Sequence, residues 1–373
     1  MSILASQATN KTLTSNTSTR ALQNPPWIIS MSEDSRISLI ACYCVLLLLA
    51  VFGNSSVVAI VCKNRQMQTT MNFLIVNMAV SDLAGSLVTI PRKLSVLSIL
   101  SYEFDAPDIL GKILCKLCPF IRDVSITISI ESMVAIALDR FLAVVYPMRS
   151  KPRILNMKFM IPLTWFAGSA MFSLNIVLFE LKSFQEIHLC LNEWPVSFLI
   201  AREAYYGAFI TLSFIVPTVA LTALYFTIVC KIKSQAIPGQ RSLEYLARRR
   251  KQNTNIIKLS AAIVLTFFVC WLPHHTLGAL MTFVWKGKLP KSVGPFFDII
   301  SETIEFVSFM SFATNPVICL TFSSKYKDCM KKLILIPDLF SKQRQGVLNV
   351  NTQRPTNISQ EMITLSMTNL TVT

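Results

Sequence analysis

The chain has 373 residues, 53% hydrophobic and 15% charged, which is too apolar for an ordinary soluble domain. Its net charge of +15 does not indicate a nucleic-acid partner: that needs basic residues gathered on one soluble face, and here they fall in segments between apolar runs. Three histidines, at 188, 274 and 275, are too few and too close for the dispersed ligand set of a zinc hydrolase. Asp82 and Asp139 sit at different depths, so they do not form the pair of a membrane aspartyl protease.

Residues 1–36 are polar, without an apolar core, and read as an outer tail with no cleavable leader. Asn10 and Asn16 open glycosylation sequons on it, although Asn357 and Asn369 fit the same pattern. Seven membrane helices are then predicted at 37–62, 71–100, 113–146, 159–179, 199–232, 253–285 and 295–322. Each reaches the roughly 20 residues that cross a bilayer, and backbone in lipid must bond to itself, which makes these stretches helices. Five runs, 37–62, 159–179, 204–230, 259–285 and 306–324, contain no Asp, Glu, Lys or Arg. The fold class is therefore an all-α, seven-helix membrane bundle. An amphipathic cytoplasmic helix is expected at 323–335 and a disordered tail, rich in Ser and Thr, at 336–373.

Lys and Arg concentrate in the connections after the first, third, fifth and seventh helices, whereas the opposite loops carry Glu103, Asp105, Asp108, Glu180 and Glu186. The positive-inside rule then places the N-terminus outside and the C-terminus in the cytoplasm, in a plasma membrane whose anionic lipids meet the basic face. Cys115 and Cys190 both fall on the oxidising outer side, so a disulfide between them is expected, with Cys118 a competing partner one turn away. Cys329, among Lys325, Lys327, Lys331 and Lys332, is either palmitoylated or a plain thiol.

Polar groups inside a membrane are costly and mark function or glue. Asn54, Asp82, Ser129, Ser311 and Asn315 form such a set. It reads either as an inter-helix hydrogen-bond network or as a site for a hydrated monovalent cation such as sodium. No other metal or cofactor is expected. Asp139-Arg140 at the inner end of the third helix is followed by Phe141-Leu142-Ala143-Val144-Val145-Tyr146-Pro147-Met148. Gly53-Asn54, Asp82, Cys115 lying 25 residues before Arg140, Trp165, Pro217 with Tyr225, Phe267 with Cys270-Trp271-Leu272-Pro273, and Asn315-Pro316 follow in order.

With these signposts the chain resembles the rhodopsin-like G-protein-coupled receptors, of the peptide and neuropeptide branch, over all seven helices. The resemblance implies a switch formed by Asp139, Arg140, Tyr225, Phe267, Trp271, Pro273, Asn315 and Pro316. Ligand binding outside would shift Trp271 and Phe267 and swing the sixth helix outward, which opens a cytoplasmic cleft over Arg140 to a heterotrimeric G protein. Met148 and the basic run 248–251 would meet that partner, and receptor kinase and arrestin would act on the tail. Two positions depart from the family pattern. Phe141 replaces a tyrosine, and Cys319 replaces the tyrosine of the seventh-helix motif, so a weak thiol donor stands where a hydroxyl is usual. Asn253 stands where an acid often pairs with Arg140, which predicts a weakened inactive-state lock; basal signalling no higher than that of Arg140→Ala would refute it.

The candidate ligand residues lie in the outer half: Arg92, Arg122, Asp123, Arg202, Glu203, His274, His275, Glu302 and Glu305, with Lys93 beside them. Glu302 and Glu305, three apart, share a helix face. Amine receptors of the family carry an acid where Arg122 stands; here the acid is one residue on, roughly 100° around the helix. The seventh helix also lacks the retinal lysine of the light-sensing members. Mixed charge in a wide mouth suits an extracellular neuropeptide with basic side chains. A small anion held by Arg92 and Arg122 is the alternative, and mutual neutralisation of some of these charges is a third reading. A transporter is a different class again, but it would show internal repeats that this chain lacks.

Overall fold

The computed structural model describes residues 28–104, 108–147, 156–184, 187–192, 194, 199–234, 243–286, 288–290 and 292–333. Asn10, Asn16, Met148 and the Ser/Thr tail lie outside the described residues, as do the side chains of 248–251 and of Asn253.

Helix α1 covers Glu33–Lys63, earlier than predicted, because the Ser32 side chain accepts from the Ser35 N–H and Glu33 and Asp34 occupy the first turn. An N-cap hydroxyl and early acids both favour a start there, by satisfying an orphan N–H and by meeting the positive end of the helix dipole. Helix α2 runs over Thr70–Ile99, capped by Thr69, α3 over Asp108–Val145, and α4 over Met157–Leu178, capped by Asn156. The fifth helix, α5, comprises Leu199–Ile210, a π-helical turn at Thr211–Ile215, and Val216–Ser234. The sixth, α6, comprises Leu243–Ala279 and a second π turn at Leu280–Val284. The seventh, α7, begins with a 3₁₀ turn at Gly294–Phe296, continues as Phe297–Phe309, bends 41° at Met310 and ends as Ser311–Phe322. A final helix, α8, covers 324–333, where the four lysines are exposed and Cys329 is half-buried.

Five of these helices are long and apolar enough to cross a membrane, and the bent α7 makes a sixth. Helix α3 is not among them, since Lys116, Arg122 and Asp123 lie in its outer half. It packs against α2, α4, α5 and α6, and Arg122 and Asp123 border a cavity within the bundle. Three apolar clusters hold the helices together. Tyr43, Ile90, Leu97 and Phe312 join α1, α2 and α7; Val124, Ile128 and Phe172 join α3 and α4; Ala137, Leu221 and Val264 join α3, α5 and α6.

Three glycines permit close contacts between helices, Gly278 against the Tyr206 hydroxyl and two against α7. A Cβ on Gly85 would stand 2.5 Å from Ser125 Oγ and 2.8 Å from the Phe312 ring, and one on Gly53 would stand 2.8 Å from Pro316 Cγ. Small residues at such crossings let membrane helices approach, where packing rather than hydrophobicity drives association.

The outer surface carries a feature that loop reading did not anticipate. Strands β1, Phe179–Phe184, and β2, Ile187–Asn192, form an antiparallel hairpin with Leu181 opposite Cys190. Glu103 pairs with Leu189 and Ile28 with Ser101 as isolated bridges, and the Ser30 N–H donates to Asp298 Oδ2 at 2.9 Å. The chain before α1, the first outer loop and the hairpin are thereby linked across the mouth.

Candidate functional site

Cys115 and Cys190 form the disulfide, with Cα atoms 5.5 Å apart, and the competing Cys118 is a free thiol. This bond pins β2 over the top of α3. Beneath it lies a cavity of about 160 Å³ bordered by Arg92, Lys93, Cys118, Arg122, Leu189 and Glu305. A deeper cavity of about 40 Å³ is bordered by Arg122, Asp123, Trp271, His274, His275 and Glu305. A third, of about 70 Å³, lies between α5, α6 and α7 and again touches His274 and Glu305.

Six of the nine predicted ligand residues border these cavities, and Glu302 meets them through Lys93, but their charges are not equally available. Arg92 Nη2 donates to the Tyr102 and Glu103 carbonyls at 3.0 Å each, and its guanidinium lies 4.4 Å over the Phe104 ring. It anchors the first outer loop. Arg122 Nε donates to Asp123 Oδ1 at 2.7 Å, and Asn175 Nδ2 donates to Asp123 Oδ2 at 2.8 Å. Adjacent residues 100° apart still meet, because the long arginine side chain bends back to its neighbour. Lys93, in effect buried, pairs with Glu302 at 2.6 Å and Glu305 at 2.8 Å. The expectation of mutual neutralisation is realised at these two clusters. Tyr102 Oη donates to Glu302 Oε1 at 2.9 Å. Burial above all, with the Glu302 and Glu305 carboxylates, holds that phenol well above its ordinary pKa, so it remains a donor.

Arg202 and Glu203 are half-buried at the outer end of α5 and border none of the three cavities. Their position in the sequence placed them at the right depth, but depth does not determine which way a helix face turns. His275 is buried between Phe214 and Trp271, with ring centroids at 4.7 Å and 6.0 Å, and its Nδ1 lacks a partner among the described residues. His274 stands edge-on to Trp271 at 5.5 Å.

Below Trp271 a small cavity of about 20 Å³ is bordered by Asp82, Ser129, Ser311 and Asn315. Ser129 Oγ donates to Asp82 Oδ1 at 2.6 Å and Asn315 Nδ2 to Oδ2 at 2.9 Å. Asn54 requires a correction: it is not part of this cavity. Pro316 has no N–H, which leaves the Phe312 carbonyl without its helical partner, and Asn54 Nδ2 donates to that oxygen at 2.8 Å as well as to Ala50 O at 2.8 Å. Asn54 repairs the proline's break in the backbone.

Further in, the Phe267 ring lies tilted against Phe214 with centroids 6.0 Å apart, and Arg140 Nε donates to Asp139 at 3.1 Å. Cys319 is fully buried. Tyr326, which sequence reasoning did not single out, is also buried and its Oη donates to Asn72 Oδ1 at 3.3 Å. Asn77 likewise escaped notice as a site residue. Its Nδ2 donates to Ser132 Oγ at 2.9 Å and Thr164 Oγ1 at 3.1 Å, and its Oδ1 accepts from Trp165 Nε1 at 2.9 Å. A lone amide in an otherwise apolar stretch of α2 was the available signal.

Residues 53–318 match the family described as 7 transmembrane receptor (rhodopsin family). A QRFP-like peptide receptor of Branchiostoma floridae is 27% identical over 81% of this chain and 79% of its own length. The human neuropeptide Y receptor type 2 is 30% identical over 65% of the chain and 62% of its own length. Human prokineticin receptor 2 is 28% identical over 62% and 60%. Of these last two the chain spans less than two thirds.

Proposed function

The chain belongs to the rhodopsin family of seven-transmembrane receptors, a class of multi-pass membrane receptors and not of enzymes, and from that premise we propose that it binds an extracellular peptide and activates a heterotrimeric G protein. The observation that carries the peptide reading is the mouth. Its two connected walls present an arginine, Arg122, and an acid, Glu305, both bordering the outer and the deeper cavity. The relatives named for peptides support the same reading.

In this mechanism the N-terminus is extracellular and the C-terminus cytoplasmic. A peptide under the hairpin presses on His274 and Trp271, and through Phe267 shifts α6 outward about Pro273. It does so by binding the opened state more tightly than the closed one. Arg140 then leaves Asp139 for the inserted partner, a helix-in-groove contact. Receptor kinase and arrestin act on the tail, and lipid on Cys329.

Sodium fits the cavity under Trp271: one carboxylate with two hydroxyls and an amide supplies hard oxygen donors, and the volume admits one small ion. Asp82, Ser129, Ser311 and Asn315 would hold it, and when bound it supplies a positive charge that balances the buried carboxylate. Exchanging sodium for choline should lower the unfolding temperature of the wild type and leave Asp82→Asn unmoved. Equal sodium effects in both proteins would remove the site.

Arg122→Ala and Glu305→Ala, read on cells reporting calcium and cyclic AMP against a peptide library, separate the ligand classes. A basic peptide should lose roughly tenfold to a hundredfold in potency with either change. Loss with Arg122→Ala alone would instead identify an anionic ligand, such as a free carboxylate.

A further inference from the structure

In the Lys93 cluster at the outer end of α2 and α7, two carboxyl groups share one ammonium. The side chain of Glu302 is fully buried and that of Glu305 is 16% exposed. The ammonium is shared between them: Lys93 Nζ lies 2.8 Å from Glu305 Oε2 and 2.6 Å from Glu302 Oε2. The two carboxyls differ in access. Glu305 borders all three outer cavities and Glu302 borders none, so a ligand can reach the ammonium's hold on Glu305 alone.

We propose that Lys93 is a displaceable latch: its ammonium occupies Glu305 in place of a ligand's cationic group, and passes to Glu302 when that group arrives. This rests on the reading of the outer cavities as the ligand's seat. Leaving a carboxylate buried without a partner is strongly unfavourable, so a site with a single acid would expose that penalty whenever it was empty. Two acids around one lysine avoid it in both states. With the ligand absent, Lys93 is shared by the two; with a guanidinium or ammonium on Glu305, Lys93 remains with Glu302, which it already meets at 2.6 Å. Tyr102 Oη, donating to the other oxygen of Glu302, keeps that carboxyl turned to receive it. The arrangement selects monocationic groups over neutral isosteres, and it makes Glu302, which borders none of the three cavities, a positioning residue for binding.

The test uses purified full-length protein, with N-acetyl-arginine amide as the cationic probe and N-acetyl-citrulline amide as its neutral isostere. The rise in unfolding temperature with concentration gives each dissociation constant. The arginine probe should stabilise the wild type and the citrulline probe should not. In Glu302→Gln, Lys93 loses its alternative, so the arginine probe should bind about tenfold more weakly. In the double variant Lys93→Met/Glu302→Gln the competitor is gone while Glu305 remains, and binding should be about tenfold tighter than wild type. Glu305→Gln should abolish it. A purely structural cluster would lower the unfolding temperature of every variant and leave the constants alike. Constants alike, shifts of one sign, or no response of the wild type would each overturn the latch. If the double variant does not fold, Glu302→Gln decides alone, since its Lys93–Glu305 pair is intact. The peptide reading is tested separately by coupling in cells: peptides that couple while the constants stay alike remove only the latch, and ordered constants without any coupling peptide remove only the peptide reading.

Discussion

Replacing Cys190 with serine is expected to abolish high-affinity ligand binding and to lower the unfolding temperature. The bond it removes closes 75 residues of chain between the top of α3 and β2. In the chain-entropy picture a closure of that length is worth ~4 kcal/mol for a chain free in water, and less in a bilayer, where the helices stay inserted when the hairpin loosens. The functional loss should exceed the stability loss. Leu189 and Cys190 border the outer cavity, and the Phe104 N–H donates to the His188 carbonyl at 2.8 Å. Freeing β2 therefore disorders the roof of the site and the first outer loop together. The check is a pair of melts with and without dithiothreitol: the reductant should bring the wild type down to the variant and leave the variant where it is. A variant that melts with the untreated wild type would show that the hairpin is held by its other contacts.

Asn77→Leu is expected to destabilise the bundle by ~2–4 kcal/mol, although leucine branches at the same atom and the neighbourhood looks apolar. Each inter-helix hydrogen bond in a membrane is worth about 0.6 kcal/mol on average and up to about 1.7, and Asn77 makes three of them, to α3 and α4. The substitution also strands the Trp165 indole N–H and the Ser132 hydroxyl without their partner, and an unsatisfied buried donor costs about 1–3 kcal/mol. Denaturation in a mild detergent should report the loss. Restoring part of it by adding Trp165→Phe, which removes the stranded N–H, would confirm the cause. Stability equal to wild type in the single variant would mean that water or lipid headgroups satisfy these donors.

The latch and the amide junction illustrate the same difficulty in reading a membrane sequence. Lys93, Glu302 and Glu305 were visible as charges at the right depth, and so were Arg202 and Glu203. Only the rotation of α2, α5 and α7 about their axes separated the three that meet from the two that lie outside their cluster. Arg92 was legible as a cation in the mouth, but its role in holding the Tyr102 and Glu103 carbonyls depends on a loop path that no periodicity encodes. Asn54 is the clearest case. Its neighbour in the chain and its depth suggested the cation set with Asp82, yet the carbonyl that Pro316 leaves open lies closer to it, 258 residues away in sequence.

The amino-acid order by itself determined that this is a seven-helix membrane bundle, because about 20 apolar residues per crossing and an obligatory backbone hydrogen-bond ladder leave lipid-spanning chain little choice. It also placed the basic loops, the outer cysteine pair and the ordered motifs from Gly53 to Pro316, all of which are local patterns. The tertiary structure alone decided which charges neutralise one another, that β1 and β2 roof the cavity, and that Asn54 and Asn77 serve as joints. Those outcomes depend on helix rotation and on contacts between residues distant in the chain. In a low-dielectric interior, a shift of a few ångströms changes which oxygen a lysine or an amide will bond.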